Sequence, residues 1–374
     1  MEKLYAIAQQ FTQGAVTAVE AYGAGNVNDT YLVTLAAPSA PIGGRRFILQ
    51  RVNTHVFPQP ALILLNMRVF LTHMEERLAQ NSAAPGGWRM PRVITTAQDT
   101  DYYMDDAGAF WRAISLIEGA KTYPSIRDAA HAREAGYALG RFHSLLSDLD
   151  PVRLHDTLPG FHITPGYLDK YDQVLAHAQE VGQRAHGART SDVAYSLRFV
   201  EARRAFATVL EDATARGELP PRSIHGDPKV DNILIDDQSG QAISIIDLDT
   251  VKPGLVHYDI GDCLRSCCNP AGEETLDLSQ VIFDTNLCRA ILQGYLPEVA
   301  RFFTEADYHY LYASIRLISF ELGLRFFTDY LAGDVYFKVR YPEHNLQRAL
   351  VQFRLVESVE AQETAIEQII AEQR

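Results

Sequence analysis

Residues 223–250, SIHGDPKVDNILIDDQSGQAISIIDLDT, set one histidine, one lysine, one asparagine and several aspartates around two short apolar runs. A buried strand gains nothing from carboxylates at its ends unless something positive binds there. The intervening DDQSG supplies turn residues, so NILI and AISIID are predicted to pair as a hairpin. Folding back in this way is expected to bring His225, Asp227, Lys229 and Asn232 to face Asp247 and Asp249 at a shared cleft. Carboxylates and an amide oxygen gathered there could hold a divalent cation, and a carboxylate beside a lysine could take a proton from a hydroxyl. Asp247 and Asp249 point to the same side of a strand, so spacing does not choose between them for the cation.

The spacing H-x-D-x-x-x-x-N followed by a hairpin and a second aspartate matches the catalytic loop and metal-binding aspartate of protein kinases. A phosphoryl group moving between oxygens spreads negative charge, which such a site neutralises with magnesium. In this reading Asp227 accepts the proton of the attacking hydroxyl, and Lys229 neutralises charge on the phosphate in transfer. The Asn232 amide and an aspartate hold Mg2+, with waters and the phosphates of ATP completing the shell.

The stretches IHGDPKVDNILI, SIIDLDTVKPG and HYDIGDCLR resemble the aminoglycoside phosphotransferase and choline kinase superfamily. That resemblance implies an α+β, bilobal protein-kinase-like fold, with a small β-rich N-terminal lobe and a larger, mainly helical C-terminal lobe. It also implies that Asp247 holds the magnesium and that Asp259 braces the catalytic loop, although a helix N-cap is the simpler reading of Asp259. A closer resemblance, over most of the chain, is to bacterial N-acetylhexosamine 1-kinases. GNVNDTYLVT, FILQRVNTHVF, IDLDTVKPG, GDCLRS and ELGLRFFTDYLAGDVYFKVRYPEHNLQRALVQ carry it. It implies transfer of the γ-phosphate of ATP to the anomeric hydroxyl of an N-acetylhexosamine, with the sugar held by Asp227, Arg325 and Tyr336. From spacing alone, Arg325 is the i+4 partner of Glu321 on a helix, and Tyr336 lies past that helix's end at Gly333.

For the nucleotide, YGAGNVNDTYLVT gives Gly23 and Gly25 with Asn28 where a third glycine would stand. Alone this is a turn. Ahead of a kinase-type loop it is the expected phosphate-covering segment, through Gly23, Gly25, Asn26 and Asn28. The strand RRFILQRVN lacks the phosphate-contacting lysine of protein kinases, and Arg51 is the candidate in its place. The following helix has no early glutamate to pair with it, since Glu75 and Glu76 come late. Two rival readings follow: a kinase of another small acceptor (an aminoglycoside, a choline-like amine or a different sugar), or a non-catalytic kinase-fold regulatory module.

The elements that must position these residues divide by pattern. The first hundred residues read as an N-terminal helix, strands from AVTAVEAYG, TYLVTLAA and RRFILQRV, a long helix over PQPALILLNMRVFLTHMEERLAQ, and three further strands. From EGAKTYPSI onward helical periodicity dominates, including VAYSLRFVEARRAFATVLEDATARG, a stretch from Thr304 to Ala332, and a charged terminal helix with a solvated face. Residues 1–115 are therefore expected to form the nucleotide-binding lobe and 116–374 the catalytic and substrate-binding lobe, with Gly119 at the hinge. The 374 residues carry a formal net charge of −13, which disfavours nucleic-acid and anionic-membrane partners. No apolar run reaches membrane-spanning length, and the N-terminus is unlike a secretory signal, so a cytoplasmic protein is expected. Cys263, Cys267, Cys268 and Cys288 have no metal-binding spacing and read as buried free thiols.

Overall fold

The computed structural model describes residues 2–23, 27–39, 42, 44–80, 87–180 and 190–374. The chain is mixed α+β and divides into two units. One, built on a sheet, holds Met1–Lys121, Asp148–Pro159 and Leu234–Pro253; the other, mainly helical, holds Thr122–Ser147, Gly160–Ile233 and Gly254–Arg374.

In the first unit, helix α1 (Glu2–Ala8) precedes strands β1 (Val16–Ala21), β2 (Asp29–Ser39) and β3 (Gly44–Arg51), then helix α2 (Pro60–Gln80). Strands β4 (Val93–Ile94), β5 (Tyr103–Met104), β6 (Phe110–Ser115) and β7 (Ala120–Lys121) follow. The main sheet runs β1-β2-β3-β6-β4, with β5 on β6, and its pairings are antiparallel. Register sets Val33 beside Phe47 and Leu49 beside Ala113. These four join Ile7, Phe11, Leu35 and Trp111 in one buried cluster, because alternation turns one face of each strand inward. The predicted hairpin is present as strands Ile233–Asp236 and Ala242–Ile245. Asp236 closes its turn, accepting at Oδ1 from the amides of Gln238 and Ser239. The first hairpin strand also pairs with β7, through Ala120 with Asp236. Buried Asn66 of α2 donates to the carbonyls of His155 and Val251, which fastens two later chain segments to this unit.

The second unit contains α3 (Ala129–Leu146), α4 (Thr164–Glu180), α5 (Thr190–Arg203), α6 (Val209–Ala215), α7 (Val256–Cys267) and α8 (Thr285–Val299). It continues with α9 (Glu305–His309), α10 (Leu311–Leu331), α11 (His344–Ala361) and α12 (Glu363–Glu372). Helices α3 and α8 approach backbone to backbone. A Cβ on Gly294 would stand 2.0 Å from the Arg133 carbonyl oxygen, and one on Gly136 would stand 1.9 Å from that of Ile291. Helix α7 is buried on every side, including Asp259, Asp262 and Arg265. The stretch VAYSLRFVEARRAFATVLEDATARG breaks into α5, a 3-10 turn at Arg204–Phe206 and α6, and the stretch from Thr304 breaks at Tyr310. The terminal helices are not merely solvated, because Val356, Val359, Ile366, Ile369 and Ile370 are buried. All four cysteines are free and buried. Among the described residues no helix is long and apolar enough to cross a membrane.

Candidate active site

The loop after strand Arg222–Ile224 is organised by its own backbone and by α7. Gly226 takes φ +89°, a conformation that favours glycine. The Asp259 carboxylate accepts from the amides of His225 (2.6 Å) and Gly226 (2.8 Å), and its Oδ2 lies 2.8 Å from His143 Nε2. Leu255, not Asp259, occupies the N-cap of α7, so the cap reading of Asp259 is replaced by this clamp on the loop. His143 also meets the Tyr295 hydroxyl at 2.9 Å. Downstream, the Lys229 amide donates to the Asp227 carbonyl at 2.9 Å and the Asn232 amide to that of Lys229 at 3.0 Å. The Asn232 side-chain Nδ2 donates to the Asp227 carbonyl at 2.8 Å, and Lys229 Nζ lies 2.9 Å from Asp227 Oδ2. Asp227, Lys229 and Asn232 thus form one turn, with the lysine on one carboxylate oxygen of the aspartate.

In the sheet-bearing unit, Asp247 ends the hairpin in the left-handed region (φ 64°, ψ 57°), unusual for a residue with a Cβ. Asp247 is exposed and Asp249 buried. Asp249 Oδ1 is ion-paired to Arg112 and Oδ2 accepts from Asn28 Nδ2 at 2.7 Å. The Asp249 carbonyl accepts from the Thr157 hydroxyl. The two aspartates that spacing could not separate differ in exposure, and buried Asp249 is committed to protein partners on both oxygens.

Gly23 takes φ +77°, whereas Gly25 and Asn26 lie outside the described residues. The Asn28 side chain is used within the unit, because besides bonding Asp249 it accepts from the Asn53 amide at 3.0 Å. Arg51 lies opposite Asp29 in the register of β2 and β3 and bonds its carboxylate (Nε to Oδ2, 2.7 Å), both side chains being about half exposed. Arg112 escaped the sequence reading. It is buried on β6 and reaches Gln50 Oε1 through Nε (3.0 Å) and Nη2 (2.8 Å) as well as Asp249. An arginine inside the apolar run AFWRAISLI is the signal that could have found it.

Arg325, on α10, does not form the i, i+4 bridge with Glu321. That carboxylate accepts from the Thr164 hydroxyl at 2.7 Å and lies 3.0 Å from His162 Nδ1. The Arg325 guanidinium instead sits over the rings of Phe161, Tyr167 and Phe337 at 5.2, 5.0 and 5.6 Å. Among the described residues it makes no hydrogen bond or salt bridge. Burial pushes the Tyr167 hydroxyl up to about 12, against the opposing pull of the Arg325 charge. Tyr336 is exposed and packs edge-on against Phe337 at 4.8 Å, so Arg325 and Tyr336 meet at one ring. Its loop is fixed by the Asp329 carboxylate, which accepts from the amides of Val335, Tyr336 and Phe337 and from Asn345.

Residues 18–296 match the phosphotransferase enzyme family. The chain belongs to that family. A solved aminoglycoside phosphotransferase from Alicyclobacillus acidocaldarius is 16% identical, with a TM-score of 0.63 over 98% of this chain and 96% of that one. A microcompartment-associated aminopropanol kinase is also 16% identical, with a TM-score of 0.61 over 97% of this chain and 98% of its own. A spectinomycin phosphotransferase solved with ADP and spectinomycin is 12% identical, with a TM-score of 0.55 over 96% and 98%. The fold of this phosphotransferase is accordingly the kinase-like one that the motifs around Asp227 and Asp247 imply.

Proposed function

We propose that this phosphotransferase is a small-molecule kinase that transfers the γ-phosphate of ATP to the anomeric hydroxyl of an N-acetylhexosamine, giving the sugar 1-phosphate. ATP as the phosphate donor agrees with the solved spectinomycin phosphotransferase, which holds ADP. The aminopropanol kinase carries the name of an alcohol-bearing acceptor. Residues 1–115 would take the nucleotide, and 116–374 would carry catalysis and acceptor binding.

The observation that carries the acceptor class is Arg325, a guanidinium ringed by Phe161, Tyr167 and Phe337 with no carboxylate bonded to it among the described residues. A fixed positive charge beside the acceptor repels aminoglycosides and choline-like amines. It suits a neutral ligand whose amide and hydroxyl oxygens accept hydrogen bonds and whose C–H faces pack on rings, as an acetamido sugar's do. Exposed Tyr336 would supply the second contact.

In the reaction, the acceptor hydroxyl oxygen attacks the γ-phosphorus while the bond to the β,γ-bridging oxygen breaks and its electron pair leaves with ADP. The hydroxyl proton passes to Asp227. Lys229 at 2.9 Å holds one oxygen of that carboxylate and so orients the other, and its charge offsets that of the phosphate in transfer. The hold of Asp259 on the His225 and Gly226 amides keeps Asp227 in place. Gly23, Gly25, Asn26 and Asn28 would cover the phosphates, with Arg51 leaving its exposed pairing with Asp29 to reach them.

The residues fit magnesium by donor chemistry. With its Nδ2 committed to the Asp227 carbonyl, Asn232 has its amide oxygen as the remaining acceptor, and Asp247 offers a carboxylate. Both are hard oxygen donors of the kind magnesium takes. Nucleotide phosphates and water would complete the shell. Magnesium would neutralise charge on the β- and γ-phosphates.

The test is ADP release with ATP, magnesium and a panel of N-acetylhexosamines, other sugars, amines and aminoglycosides. Turnover with N-acetylglucosamine or N-acetylgalactosamine is expected, reduced about 10²–10⁴-fold in Asp227→Asn. Turnover confined to cationic acceptors would overturn the sugar assignment.

A further inference from the structure

His162 is buried in the helical unit, and both of its ring nitrogens face acceptors. Nε2 lies 2.9 Å from the carbonyl oxygen of Gly226, the residue before Asp227. Nδ1 lies 3.0 Å from Glu321 Oε1, whose partner oxygen accepts from the Thr164 hydroxyl. A carbonyl only accepts, so Nε2 must carry a proton. The Nδ1 contact needs one proton more, either on Nδ1 of an imidazolium facing a carboxylate or on Glu321 Oε1 facing a neutral ring, and the raised His162 pKa favours the first.

We infer that His162 works as a buried imidazolium, held by Glu321, that donates to the Gly226 carbonyl and so positions the loop carrying Asp227 against the helix carrying Arg325. The inference rests on the proposed role of Asp227 and adds a link between acceptor and base. His162 takes φ +66°, a strained backbone for a side chain of its size, which these side-chain bonds hold. Its neighbour Phe161 forms one wall of the Arg325 cage and packs on the His162 ring at 4.0 Å. An acceptor seated against Arg325 therefore presses on the same short segment that holds the catalytic loop.

The surroundings support the charge. Burial of the ring opposes protonation, but the Glu321 carboxylate from α10 and Asp262 from α7 outweigh it, so the His162 pKa is raised. The Tyr258 ring of α7 stacks on His162 at 5.6 Å. Beyond these lie Arg265 and Lys229, which act on Asp262, and Arg325, which feels both Glu321 and Asp262. With the pKa raised, the protonated form is lost only as pH climbs past that elevated value.

The experiment is NMR of the whole protein labelled with ¹³C,¹⁵N-histidine, with His162 assigned by its contacts to the Phe161 and Tyr258 rings. At pH 7.5 both ring nitrogens are expected to show imidazolium shifts; a neutral tautomer would overturn the inference. Alongside, kcat is followed against pH for wild type and Glu321→Gln. Removing the carboxylate is expected to move the alkaline loss of kcat down by about one pH unit, and superimposable profiles would contradict the proposal. His162→Gln is expected to lower kcat about tenfold with the KM for ATP unchanged. The NMR result needs no turnover, so it decides the charge of His162 even where the kinase reading fails; Asp227→Asn decides the latter.

Discussion

Arg325 and Arg112 are two arginines with opposite circumstances, and each gives a prediction. Arg325 has aromatic walls and no bonded counter-charge among the described residues, so its loss should be felt by the acceptor. Arg325→Leu is expected to raise the KM for the sugar about tenfold or more and leave the KM for ATP unchanged, measured by initial rates with each substrate varied. Arg112 shares a buried ion pair with Asp249, each side chain 3% exposed. Arg112→Met would strand a buried carboxylate and should cost about 3–5 kcal/mol, read from denaturant unfolding, whereas Arg112→Met with Asp249→Leu should recover much of the loss. That Asp227, Lys229 and Asn232 share one turn was legible because they lie within six consecutive residues. Arg112, His143 and His162 were not, because their partners Asp249, Asp259 and Glu321 stand 137, 116 and 159 residues away. A histidine in an apolar run looks the same whether its ring is idle or spans two acceptors.

Between elements, the contact of α3 with α8 depends on missing side chains. Gly294→Ala would put a Cβ 2.0 Å from the Arg133 carbonyl oxygen, against backbone that cannot yield as a side chain does. It should destabilise the protein by about 1–3 kcal/mol or more, seen as a lower denaturation midpoint. Gly166→Ala, in α4 with nothing within 4 Å, is the control and should leave stability unchanged or slightly raised. The hairpin around residue 238 was readable because DDQSG can do little but turn between two apolar runs, and the Asp236 carboxylate takes its turn bonds from Gln238 and Ser239 of that same stretch. The break between α5 and α6 was not readable, since RRAFATVLEDATA contains neither proline nor glycine and local propensity runs straight through it. The terminal helix misled for a related reason: five glutamates among the last nineteen residues suggest a solvated face, yet Ile366, Ile369 and Ile370 sit on the other side and pack into the core.

Across the whole molecule, two buried histidines, His257 and His162, make stability depend on pH with opposite signs. Burial holds His257 down to about 4. Its Nε2 donates to the Asp307 carbonyl, and its Nδ1 finds no protein partner among the described residues. The unfolded chain takes up this proton near pH 6.5 and the folded one does not, so the contribution is present above pH 6.5 and lost as pH falls towards 4. Stability is expected to drop on the order of 3 kcal/mol across that window from this group, and His257→Gln should flatten the slope in urea unfolding followed from pH 7 to 4.5. His162, raised rather than lowered, contributes with the other sign: its part is intact below pH 6.5 and lost as pH rises through its folded value. Composition foretold none of this, because charge counts do not say which histidines are buried or what they face. Residue order did foretell a mixed chain with a sheet and a set of helices, since period-two and helical patterning occupy different stretches of the sequence. The most direct measurement is phosphorus–proton correlated NMR of the product formed from ATP, magnesium and N-acetylglucosamine or N-acetylgalactosamine. A phosphorus resonance coupled to the anomeric proton is the predicted result. Phosphate on any other position of these sugars, or ADP release only with cationic acceptors, would contradict the account.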